Sequence, residues 1–142
     1  MVFLRWLIVI CYVAVLLIFS SQPASSAHSM TKWLLEMFPN LSRAQISALV
    51  FYIRKGLHVA GYFFATGIIF QAINVTPRLK KYPYLATFIF TLLFAIVDEW
   101  QQSFFPFRTG SVKDVVLDSV GILSALGLLK INQQRKKRAP GN

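Results

Sequence analysis

YLATFIFTLLFAIVDEWQQ, residues 84–102, is an apolar run that ends on two adjacent acids, and its relation to a lipid bilayer decides the fold. Crossing the hydrocarbon core takes about 17–20 residues. The uninterrupted apolar part is shorter than that, so a span here has to include Asp98 and Glu99. Carboxylates at such a depth are costly unless they are paired, hydrated or bound to something. The stretch is therefore predicted to be a transmembrane helix over about 84–100 and also one wall of a polar site.

Three further apolar runs, at about 4–20, 57–73 and 115–131, make four predicted spans. The chain is 56% hydrophobic with a mean hydropathy of +0.56, too apolar for an ordinary soluble domain. The expected fold is all-α: a single polytopic membrane domain over 1–142, built as a bundle of four transmembrane helices with an outer amphipathic segment. A basic tail follows over 132–142. The net charge of +10 does not point to nucleic acid, because the basic residues flank apolar runs and form no stripe interleaved with aromatics. Cys11, the single cysteine, excludes an intrachain disulfide and is expected to be a small buried hydrophobe.

Charge sets the expected orientation. With the N-terminus inside, Arg5, Arg78, Lys80, Lys81, Lys130, Arg135, Lys136, Lys137 and Arg138 lie on the inner side, against Lys32, Arg43, Arg54, Lys55, Arg108 and Lys113 outside. All five carboxylates fall outside. This distribution favours a multi-pass membrane protein with both termini cytoplasmic. Arg5, the first apolar run and the small residues Ala24-Ser25-Ser26-Ala27 also fit a cleavable signal peptide.

Between the first two spans, Trp33, Leu34, Met37 and Phe38 suggest a short helix in the headgroup region, ended by Pro39. Ser42 and Gln45 form a capping-box pattern that starts a long helix at Arg43. On that helix Arg54, His58 and Tyr62 follow one another at i, i+4 and i+8 and share a face. Asp98 and Gln102 are related in the same way on the third span, and Asp114 and Asp118 on the fourth. Gly121 follows Asp118 and admits a close neighbour. Three helix ends can thus meet in an outward-facing pocket.

The residues differ in what they suggest. Arg54 and Lys55 fit interfacial anchors or contacts to an anionic headgroup. His58 fits either a packed histidine or a functional one beside carboxylates. Asp98 and Glu99 oppose the dipole at a helix C-terminus, so Arg54 and Arg108 are their expected cationic partners. Asp114 fits a helix cap, whereas Asp118, a turn deeper, has no such explanation.

The ordered set Phe19-Ser20-Ser21-Gln22, Arg54-Lys55-Gly56-Leu57-His58, Tyr62, Asp98-Glu99, Gln102, Phe104, Pro106, Arg108, Asp114, Asp118 and Gly121 resembles the VanZ-like family of small bacterial membrane proteins. The resemblance covers about residues 4–130. It implies a multi-span envelope protein whose polar residues match Lys55, His58, Asp98, Glu99, Gln102, Arg108, Asp114 and Asp118. The family's founding member is associated with resistance to the glycopeptide teicoplanin. Where relatives carry Asn this chain has Asp118, which puts in question whether a charge is needed there.

Three functions follow as expectations. One is recognition of an anionic lipid-linked or glycopeptide-related ligand at the outer leaflet through Arg54, Lys55, His58, Gln102, Arg108 and Asp114. Another is a membrane-embedded enzyme acting on a lipid-linked phosphate or glycosyl substrate, with His58, Asp98, Glu99 and Asp118 as candidate catalytic groups. The third is a structural or accessory subunit. No spaced metal-ligand signature is present, so neither a metal site nor a cofactor is expected; the enzyme reading alone leaves room for a divalent cation on Asp and Glu oxygens. The expected partners are membrane lipid, a lipid-linked envelope intermediate or a glycopeptide, with an oligomer left open.

Overall fold

The computed structural model describes residues 1–108 and 110–138. Residues 139–142 of the predicted basic tail lie outside the described residues. Among those described, every regular element is helical: α1 Val2–Ser21, α2 Ala27–Met37, α3 Arg43–Asn74, α4 Pro83–Gln102 and α5 Val112–Arg138, with a 3-10 turn at Pro23–Ser25 between α1 and α2. Helices α1, α3 and α4 are each long and apolar enough to cross a membrane.

Local chemistry sets the boundaries. The Ser26 side chain accepts from the Ser29 amide and starts α2. Ser42 accepts from the Gln45 amide while the Gln45 side chain accepts from the Ser42 amide, which completes the capping box at the start of α3. Pro83 opens α4, where its missing N–H has no helical partner to lose.

The faces of α4 show which solvent the bundle is made for. Thr87, Thr91, Ala95, Asp98 and Gln102 are buried, whereas Leu85, Ile89, Leu93, Ile96 and Trp100 are exposed. Apolar residues outside and small or polar residues inside suit a helix in lipid, where burying Leu or Ile brings no gain over contact with acyl chains. Thr87 and Thr91 return their hydroxyls to the carbonyls of Pro83 and Thr87, so neither is left unpaired. Cys11 follows the same logic: it is exposed on α1 and not buried, because a small thiol can face acyl chains as readily as a core.

Side-chain contacts fix the helix directions. Lys55 meets Asp114 and His58 faces Asp118, so α3 and α5 run the same way. Tyr62 reaches Asp98 while Phe70 packs on Tyr84, so α4 runs against α3. Trp6 donates to Thr76 at 2.9 Å and Tyr12 to the Gly61 carbonyl at 3.1 Å, which sets α1 antiparallel to α3. Val9 joins Ile69, Ala72 and Ile73 in the apolar core near one end of the bundle. At the opposite end α2 covers the start of α3, with Leu34 on Ile46 and Val50.

Candidate functional site

The buried polar groups collect at the end of the bundle where α3 and α5 begin and α1 and α4 finish. Asp98, 3% exposed, accepts from the Ser20 hydroxyl at 2.5 Å and from the Tyr62 hydroxyl at 3.1 Å. One carboxylate therefore ties α1, α3 and α4 together. Glu99 accepts from the Ser111 amide at 2.8 Å through Oε2 and holds the segment leading into α5. Its Oε1 has no hydrogen-bond partner among the described residues.

Asp118 differs from both. It is fully buried, and neither oxygen meets a hydrogen-bond donor among the described residues. The His58 imidazole faces it, with Nδ1 3.6 Å from Oδ1. That separation is too long for a hydrogen bond. His58, Glu99 and Asp118, from three different helices, bring one donor atom each to within 4.8 Å of one another. Close helix approach makes this convergence workable: at Gly121, one turn beyond Asp118, α5 lies directly against the Val59 carbonyl of α3.

Arg108, in the segment between α4 and α5, is 7% exposed and donates to the Ser25 hydroxyl. Burial and the neighbouring Arg54 charge lower its pKa, opposed by Asp98 and Glu99. An arginine stays charged under such shifts. Arg54, His58 and Arg108 line a narrow crevice of about 30 Å³ with Phe19, Ser25 and Leu57. Phe19, Leu57 and His58 also line a larger cleft of about 310 Å³ between α1 and α3, whose walls include Leu16, Ala60 and Phe64 and whose polar end carries Ser20, Tyr62 and Asp98.

The predicted site residues therefore divide. Arg54, His58, Asp98, Glu99, Gln102, Arg108 and Asp118 gather at one end of the bundle, with Gln102 buried and its Nε2 unpartnered among the described residues. Lys55 and Asp114 instead pair with each other on the flank where α3 meets α5. One residue is about 100° of helix rotation, which turns Lys55 away from the face shared by Arg54, His58 and Tyr62. The expected pairing of Asp98 and Glu99 with arginines is also corrected. Among the described residues neither acid forms an ion pair: Asp98 is held by the Ser20 and Tyr62 hydroxyls and Glu99 by the Ser111 amide. Sequence reasoning gave no partner role to Ser20, Ser25 or Ser111. A serine closing an apolar run, as Ser20 does, was the available signal.

A family model described as VanZ/LLP1 matches residues 3–133. No curated protein and no solved structure matches the chain.

Proposed function

We propose, from the premise that this chain belongs to the VanZ/LLP1 family, that it binds a lipid carrying an anionic headgroup at the polar end of the bundle. The observation that carries this is the adjacency of two spaces that share a wall. The cleft between α1 and α3 has apolar walls from Leu16, Phe19, Leu57, Ala60 and Phe64. Through Phe19, Leu57 and His58 it meets the crevice bearing Arg54 and Arg108. An acyl or polyprenyl chain suits the first space and a phosphate the second. Arginine is apt for the headgroup because its planar fork binds phosphate oxygens in pairs. A buried guanidinium nitrogen on each of Arg54 and Arg108, the Nε, is without a partner among the described residues.

The accompanying topology has α5 as the fourth span beside α1, α3 and α4. Both termini are then cytoplasmic and the polar end lies at the outer leaflet, where a lipid-linked envelope intermediate or a glycopeptide such as teicoplanin is met. The charge asymmetry supports this orientation. A single cysteine at the exposed Phe104 position, made in a Cys11→Ser background, is expected to react with a membrane-impermeant maleimide in intact cells. Labelling that appears only after lysis would reverse the orientation.

The ligand itself is tested by mass spectrometry of lipids copurifying in mild detergent. Wild type is expected to enrich a phosphate-bearing lipid, and Arg54→Gln to reduce that enrichment at least about tenfold, the equivalent of one charge-assisted hydrogen bond of about 1.5 kcal/mol. The same bulk lipid profile in both proteins would overturn the reading.

A further inference from the structure

We propose that His58, Glu99 and Asp118 form a divalent-cation site suited to a first-row ion such as Zn²⁺ or Mn²⁺. The site stands on its own geometry and does not depend on the identity of any lipid.

Asp118 is 0% exposed, and both of its oxygens lack a donor among the described residues, as does Oε1 of Glu99 at 5% exposure. Buried polar groups almost always find a partner, and a buried charge left alone is far costlier than a neutral group. Three free carboxylate oxygens around one imidazole are a set that a bound cation would satisfy together.

The 3.6 Å from His58 Nδ1 to Asp118 Oδ1 is long for a hydrogen bond. It is close to the ~3.4 Å edge between two ligands of a tetrahedral cation with bonds of about 2.0–2.2 Å. The donor atoms of all three residues lie within 4.8 Å of one another, so closing the set takes rotamer adjustments of about an ångström.

One imidazole nitrogen with carboxylate oxygens from two other helices matches Zn²⁺ or Mn²⁺. Ca²⁺ takes about six to eight oxygens, which this cluster does not offer. Three protein ligands leave coordination positions open, and the crevice bearing His58 also bears Arg54 and Arg108. A phosphate oxygen or a water could complete the shell from that side.

The test uses the full chain in mild detergent, delipidated, stripped with chelator and carrying no histidine tag. Titration with Mn²⁺ or Zn²⁺ is expected to show one ion per chain. Glu99→Gln and Asp118→Asn, which keep side-chain size, should each weaken binding at least about a hundredfold, since losing even an outer-shell partner costs about 10–100-fold. Glu36→Gln and His28→Gln, at exposed positions, should leave binding unchanged. Pulsed electron paramagnetic resonance of the Mn²⁺-loaded wild type should show coupling to one imidazole nitrogen, lost in His58→Gln. Absence of that coupling in the folded wild type would overturn the proposal without reference to any variant. Undiminished binding in Asp118→Asn would also overturn it.

Discussion

Asp98→Ala is expected to lower stability by about 3 kcal/mol, which is two hydrogen bonds to a charged group at about 1.5 kcal/mol each. The low end of that range is appropriate because interhelical hydrogen bonds in membranes run near 0.6 kcal/mol and up to about 1.7. Among the buried acids of the described residues, Asp98 alone has both oxygens satisfied, by Ser20 of α1 and Tyr62 of α3. Truncation removes both bonds and leaves the Ser20 and Tyr62 hydroxyls only the Leu16 and Phe94 carbonyls, at 2.9 and 3.5 Å, loosening three helices at once. Asp98→Asn keeps one oxygen and the shape, and should recover about half of the loss. Thermal aggregation followed by fluorescence-detected size exclusion measures both variants. An Asp98→Ala protein as heat-resistant as wild type would mean that this carboxylate does not hold the bundle together.

Gly121→Ala should have an effect of similar size for a different reason. A methyl group there would run into the Val59 carbonyl oxygen, with the Val59 carbonyl carbon at 3.1 Å and the Phe63 amide nitrogen at 3.2 Å. All three are backbone atoms of α3, which no rotamer change can move aside. The upper part of the range for overpacking, about 3 kcal/mol, applies. Displacing α5 also carries Asp118 away from His58, so Gly121→Ala is expected to lose ligand binding even in its folded fraction. Gly127, on the same helix, has open space at the equivalent point. Gly127→Ala should be neutral or stabilising by about 0.5–1 kcal/mol through helix propensity. Equal behaviour of the two variants would refute close packing at Gly121.

Asp98 and Asp118 looked alike in the sequence, as acids at the ends of apolar runs. The structure separates them: Asp98 is anchored by two hydroxyls, whereas Asp118 has none. The face shared by Arg54, His58 and Tyr62 was legible because helical periodicity alone places i, i+4 and i+8 together. The capping box at Ser42 was legible for the same reason, being a rule about residues three apart. The threonine stripe of Thr87 and Thr91 was less so, since apolar residues surround it in the chain and only the packing shows that it faces inward.

By itself the sequence determined the class of solvent and the helical elements, because both depend on local quantities: the length of apolar runs, cap residues and the placement of charge. It also indicated which end of the bundle would be polar. Which polar groups satisfy one another was decided only by tertiary structure. Ser20 reaching Asp98 and Ser25 reaching Arg108 are contacts across 78 and 83 residues, and they displace the acid–arginine pairing that charge alone suggested. Lys55 turned toward Asp114 because adjacent helical residues point about 100° apart and α5 happened to lie on that side. The acids at the end of residues 84–102 thus mark the polar site, but only the packing of four helices shows that one secures the fold while the other joins His58 and Asp118.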